Sequence, residues 1–169
     1  STLCAAMILR GWRLLSDEFA LVRPIDGLIF PTARPVALKN QSIEIIREFS
    51  KEAVLGPEFA KTRKGAVSHL RPPNKSIKLM NQPARPVWVV CPNYQEGQTP
   101  ILEKIPKEHA FLQVAANAFN YETLGEAGFK AVAKIIRESN IYNFRYSNLE
   151  EALNTLEKMT ESDGTRLVP

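Results

Sequence analysis

Cysteine and histidine are scarce in this sequence, and their scarcity excludes several kinds of site. The chain has two cysteines, Cys4 and Cys91, and two histidines, His69 and His109, among 169 residues. No CxxC pair occurs and the histidines are far apart, so a zinc site is not expected. Both cysteines fall in predicted apolar core segments. Two thiols without a pairing pattern favour a reducing, cytoplasmic setting.

Long apolar runs and dense basic runs are also missing. No apolar stretch approaches the ~18 residues of a membrane span, so we expect no membrane partner. Lysine and arginine total 22 against 18 acidic residues, which gives a net charge of +4. These cations are scattered and lack interleaved aromatic residues, so a nucleic-acid partner is not expected. A phosphate-handling cleft would give the same mild positive balance.

The rest of the composition is that of an ordinary globular chain. Hydrophobic residues make up 44% and charged residues 24% of the sequence. A chain of this length predicts one domain, which we place at residues 1–161, followed by a frayed tail at residues 162–169.

Apolar periodicity predicts an α/β fold with a mixed sheet. Helices are predicted at residues 3–10, 43–49, 108–120, 129–138 and 148–159, with Ser42 and Ser147 as caps and Glu150 completing a capping box. Strands are predicted at residues 12–16, 19–23, 28–30, 34–40, 66–70, 86–91 and 141–146, with 86–91 central and 51–65 a loop. Twelve prolines favour such short strands.

The first eighteen residues carry the clearest chemical pattern. Ser1-Thr2 stands directly before a helix that ends at Gly11, and the predicted strand 12–16 delivers Asp17 and Glu18 at its carboxyl end. In a phosphate-binding loop, G-x-x-x-x-G-K-[ST], the last hydroxyl binds Mg²⁺. One neighbouring carboxylate can hold the same ion and a second can orient or deprotonate an attacking hydroxyl. The alternative is a capped helix followed by two solvated acids.

Three cations are candidates for contact with phosphate. Lys39 and Lys64 are predicted nucleotide ligands, and Arg71 is a predicted catalytic cation because Pro72-Pro73 would stiffen its loop. His69 is a candidate proton acceptor. For each of these residues the alternative is an ordinary surface or structural role.

Several runs of residues together resemble the HPr kinase-related family, "A" group. They are Ser1 to Ala6, Arg10 to Glu18, Pro35 to Ile43, Lys64-Gly65, His69 to Pro73 and Phe119 to Gly125. The resemblance covers residues 1–150. It implies an HPr kinase/phosphoenolpyruvate carboxykinase-like P-loop fold. It also implies ATP and Mg²⁺ as cofactors, and phosphate transfer to a serine of a protein or peptide.

Position by position, the resemblance implies roles for four residues near the start of the chain. Ser1 and Asp17 become Mg²⁺ ligands, Thr2 contacts nucleotide phosphate, and Glu18 matches the second acid of the family's Asp-Asp pair with a longer side chain. HPr kinases are hexameric, which leaves a homo-oligomer open. Two other readings stay open: a non-catalytic nucleotide-binding or regulatory module, and a carboxykinase-like enzyme acting on a small acid.

We expect the 169-residue chain alone to lack kinase activity and its full-length parent to have it. The P-loop glycines and lysine would precede Ser1, and those groups carry much of the charge stabilisation in phosphoryl transfer. Transfer from radiolabelled ATP to serine peptides, measured for both proteins, checks this. Turnover by the 169-residue chain would contradict it.

Overall fold

The computed structural model describes residues 1–162, which form the mixed α/β arrangement expected from the sequence. Their helices are α1 (Thr2–Leu9), α2 (Gln41–Phe49), α3 (Asn74–Lys78), α4 (Lys107–Ala116), α5 (Tyr121–Leu124), α6 (Glu126–Glu138) and α7 (Leu149–Ser162). The strands are β1 (Leu21–Val22), β2 (Ile29–Phe30), β3 (Val36–Lys39), β4 (Phe59–Thr62), β5 (Gly65–Leu70), β6 (Trp88–Tyr94), β7 (Ile101–Lys104) and β8 (Asn140–Tyr146). Three sheets result, with strand orders β1-β2, β3-β5-β4 and β6-β8-β7.

The described residues divide into two compact units. The first takes residues 1–21 and 30–82, and the second takes residues 22–29 and 83–162. The expectation of a single domain over residues 1–161 stays a prediction. The predicted tail, 162–169, lies outside the described residues except for Ser162, with which α7 ends. None of the helices described here is both long and apolar enough to cross a membrane.

In the first unit, an antiparallel sheet with β5 at its centre buries one face and exposes the other. Val36 pairs with Leu70, and Leu38 pairs with Ser68. All four side chains are buried, and helices α1 and α2 contact β3. Since successive residues of a strand point to opposite faces, the intervening residues of β3 and β5 form the open face.

The turn between β4 and β5 is tied to the start of α2 through Asn40. Asn40 has φ 50, and its Oδ1 accepts a hydrogen bond of 3.1 Å from the Ala66 N–H. Gly65 has φ +84, and a Cβ placed on it would lie 2.2 Å from Asn40 Oδ1. Glycine is therefore required at residue 65 by its own conformation and by its neighbour.

In the second unit, β8 is the central strand, parallel to β6 and antiparallel to β7. On one side of it, Ile141 packs with Ala110 of α4 and with Val132 and Ile136 of α6. The α7 helix also contacts β8.

The predicted strand at residues 12–16 is wrong. The Leu14 N–H donates to Ser76 Oγ at 2.9 Å, and the Leu15 carbonyl accepts from the Thr32 N–H at 2.7 Å. These partners satisfy backbone hydrogen-bonding groups of residues 14 and 15, and no strand among residues 1–162 pairs with this segment. Residues 51–65, expected to be a loop, contain β4.

One prediction about the second unit is also wrong. Of residues 86–91, expected to form a central strand, residues 88–91 begin the edge strand β6, which continues through Pro92. An edge strand tolerates proline because one side of its backbone needs no ladder partner.

The serine caps are corrected as well. The Glu151 N–H at the start of α7 donates to Asn148 Oδ1, while the Ser147 hydroxyl donates to the Gln98 carbonyl. The side-chain cap of α7 is therefore Asn148, one residue after the predicted Ser147. Asn40 precedes α2, so Ser42 lies inside that helix.

Replacing Gly65 by alanine should lower the free energy of unfolding more than the Gly97→Ala control. Gly97 also has positive φ, +73, but open space around it. The control should therefore lose about 1–2 kcal/mol through backbone conformation alone. Gly65→Ala should lose about 1 kcal/mol more as Asn40 is displaced from its hydrogen bond. Urea unfolding measures both variants, and equal losses would refute the role of Asn40.

Candidate functional site

The carboxylate of Asp17 lies between the start of α1 and the free edge of β3. Ser1, the N-cap residue of α1, donates its hydroxyl hydrogen to Asp17 Oδ2 at 3.1 Å. The Ala37 N–H of β3 donates to the same oxygen at 3.3 Å. The structure thus brings together the two predicted Mg²⁺ ligands, Ser1 and Asp17, in the first unit.

The second oxygen of Asp17 has a different environment. Oδ1 is buried and has no hydrogen-bond partner. A buried carboxylate oxygen without a partner is costly, so its occurrence in a folded chain calls for an explanation. A cation bound to Oδ1 would compensate the charge that desolvation penalises.

The donor set at this position fits Mg²⁺. That ion prefers oxygen ligands and commonly takes one or two carboxylates together with water and substrate phosphates. Ser1 and Asp17 offer a hydroxyl and a carboxylate. No group of three or more His, Cys, Asp or Glu side chains able to hold a metal occurs in residues 1–162. Phosphate and water would therefore have to supply the remaining ligands.

A turn held by the Ser16 hydroxyl gives Asp17 and Glu18 different exposure to solvent. Ser16 Oγ accepts hydrogen bonds from the Glu18 N–H at 3.3 Å and the Phe19 N–H at 3.2 Å. The turn places Asp17 against β3, half-buried, and leaves Glu18 exposed. Asp17 is thus suited to hold an ion and Glu18 to meet a group arriving from solvent.

Thr2 joins the two helices that lie beneath the sheet. Its hydroxyl donates to Ser42 Oγ of α2 at 2.7 Å. Sequence reasoning treated Ser42 only as a cap and missed this contact. The Thr2 oxygen keeps lone pairs available to accept further hydrogen bonds.

The three predicted cations are spread along the sheet. Lys39 is two residues beyond Ala37 on the open face of β3, about 7 Å along the strand. Arg71 follows the end of β5 that pairs with the start of β3, and its guanidinium donates to Asn74 Oδ1 at 3.2 Å. Lys64 lies in the turn at the opposite end of β5, about 20 Å from Arg71 along the chain. Lys39 and Arg71 therefore lie in opposite directions along the sheet from the Ala37–His69 pair, whereas Lys64 is distant from Arg71.

The negative charge of Asp17 affects the pKa of the Cys4 thiol in α1. Burial first, and the negative charge of Asp17 second, together raise the pKa of the Cys4 thiol to about 11. The Cys4 thiol therefore reacts slowly at neutral pH, and its rate of alkylation depends on the charge at Asp17.

No protein-family model, curated protein or solved structure gives a significant match to this chain.

Asp17→Asn should lower the pKa of Cys4 and speed its alkylation. Removing the anion removes one cause of the raised pKa, and below the pKa the thiolate fraction grows about tenfold for each unit by which the pKa falls. Iodoacetamide labelling followed by mass spectrometry across pH 7–10 measures the rate. Glu18→Gln is the matched control and should leave Cys4 unchanged. Equal rates for the Asp17 variant and the wild type would show that Asp17 does not act on this thiol.

Proposed function

We propose that this chain belongs to an ATP- and Mg²⁺-dependent kinase that phosphorylates a serine hydroxyl of a protein or peptide. The observation that carries the proposal is the Ser1–Asp17 contact, in which one carboxylate oxygen is bonded twice and the other is buried without a partner. A P-loop fold of the HPr kinase/phosphoenolpyruvate carboxykinase type would use this contact for its nucleotide. The α1 helix beginning at Thr2 supports that fold.

The residues around Asp17 have separate tasks in such a kinase. Bound Mg²⁺–ATP supplies the phosphoryl group and a cation that offsets its charge. Ser1 and Asp17 would hold the ion, and Thr2 would contact a nucleotide phosphate at the start of α1, where the helix dipole favours negative charge. Lys39 and Lys64 would contact other nucleotide phosphates. Arg71 would grip the transferred group with its planar guanidinium.

Glu18 would act on the acceptor. The serine oxygen forms a bond to the γ-phosphorus while the bond from that phosphorus to the bridging oxygen of ADP breaks, and Glu18 takes the serine proton. The exposed position of Glu18 supports this task, since the acceptor must arrive from outside the protein. A cytoplasmic location and self-association belong to the same proposal.

In the proposed kinase, Asp17→Asn should lower kcat for phosphate transfer by at least about 100-fold, because the negative charge that would hold Mg²⁺ on the transferring phosphate is lost. Glu18→Gln should lower kcat with less change in nucleotide affinity. Transfer from radiolabelled ATP to a panel of serine peptides measures both effects, and Glu96→Gln, in an exposed loop of the second unit, is the control.

Full activity of the Asp17 variant would contradict the metal role. Nucleotide binding without transfer by the wild type would instead indicate the regulatory module.

Mg²⁺ should speed alkylation of Cys4 when it is added to protein that already holds a non-hydrolysable ATP analogue. A cation beside Asp17 offsets the anionic charge that helps raise the pKa of Cys4, so the thiolate fraction should increase. The Asp17→Asn variant should show no such response. An identical wild-type rate with and without Mg²⁺ would place the ion elsewhere.

A further inference from the structure

The open face of the β3-β5-β4 sheet carries exposed side chains that have no role in the proposed phosphate transfer. Lys39 pairs with Val67 and Ala37 pairs with His69 across β3 and β5, while Phe59 of β4 pairs with Val67. Directly paired residues share a face, so Lys39, Val67 and Phe59 form a row across three strands. Phe59 is 57% exposed, and Lys39 and His69 are exposed as well.

The charge on this part of the molecule has a single sign. Residues 36–41 and 59–71 contain five cations and no acidic residue. We name these five the cationic sheet surface: Lys39, Lys61, Arg63, Lys64 and Arg71. All five are exposed. None of the ion pairs formed among residues 1–162 includes any of them.

The acidic residue that directly precedes β4 in sequence already pairs with a different cation. Glu58, directly before β4, lies 3.8 Å from Arg47 of α2, and Arg47 also pairs with Glu44. The five cations therefore repel one another, apart from what the Asp17 carboxylate offsets at the edge of β3. An anionic partner would relieve that repulsion and gain favourable interactions of its own.

We infer that the cationic sheet surface binds an acidic, extended segment of the protein or peptide that carries the phosphorylated serine. This inference rests on the proposed function. The surface adjoins Asp17 through Ala37, so a chain lying across it could place a serine near the metal position. Acidic residues flanking that serine would contact Lys61 and Arg63, and an apolar residue would contact the exposed ring of Phe59.

The dimensions favour a peptide over a nucleic acid. Three strands span about 10 Å and four residues of β3 span about 13 Å, which suits one extended segment of a few residues. Specific nucleic-acid interfaces usually bury about 1,000 Å² or more of protein surface. They also stack bases on several aromatic side chains, whereas this face offers one ring, Phe59.

Fluorescence anisotropy with labelled peptides of about nine residues, the length of a long strand, tests the inference. One peptide has a serine flanked by aspartate and glutamate, and its counterpart has asparagine and glutamine there. The protein should bind the acidic peptide about tenfold more tightly than the amide peptide. The difference should shrink between about 50 mM and 200 mM NaCl, because salt screens exposed charges.

The Lys61→Gln/Arg63→Gln double variant should weaken binding of the acidic peptide about four- to twenty-five-fold, at about two- to fivefold per exposed charge pair. Neither residue has a role in the proposed phosphate transfer. In the kinase assay the same variant should raise KM for the acidic peptide and leave kcat unchanged. Lys158→Gln, on exposed α7 of the second unit, is the matched control and should bind like the wild type.

Equal binding of the two peptides, or wild-type affinity in the double variant, would overturn the inference. Tighter binding of a single-stranded oligonucleotide through Lys61 and Arg63 would also overturn it, in favour of a nucleic-acid surface. The Asp17→Asn variant should keep its peptide affinity. Peptide binding without phosphate transfer by the wild type would therefore refute the proposed function and leave the docking surface standing.

Discussion

The carboxylate of Asp17 is the group on which the candidate site depends. It connects a loop to the N-cap residue of α1 and to the backbone of β3 through one oxygen. Its other oxygen is buried and unpaired. A protein gains nothing in stability from such an oxygen, because desolvation penalises the charge without a compensating bond. The proposed kinase uses this oxygen to hold a cation.

The short strand β3 gives the first unit three different surfaces. Val36 and Leu38 point into the core formed with α1 and α2, while Ala37 and Lys39 point to the open face. The free backbone edge of the strand holds Asp17. Alternation of side chains along an edge strand is enough to place a core, the proposed metal position and a cationic surface within about 10 Å. The proposed kinase site and the proposed docking surface are adjacent for this reason.

Much of the local structure could be predicted from periodicity, and the failures have identifiable causes. Helix α6 and strand β8 were predicted because their apolar residues repeat at the spacing of a helix and a strand. The strand predicted at residues 12–16 was wrong because its backbone groups bond to Ser76 and to residue 32, partners that no local pattern reveals. The central position predicted for residues 86–91 was wrong because an apolar run indicates that a strand is covered by other elements. It does not indicate where that strand lies in the order of the sheet. Burial can arise at an edge strand that packs against helices.

By itself the sequence determined which residue types stand near the helix at residue 2, and hence that a hydroxyl and two acids were candidates for one site. Only the tertiary structure decided that Asp17 contacts Ser1 while Glu18 remains exposed, because the Ser16 turn and the Ala37 amide orient the loop. Strand pairing likewise set Arg71 beyond the end of β5 that pairs with Val36, and Lys64 at the other end of β5. Register depends on contacts between segments distant along the chain, and composition and spacing do not record those contacts.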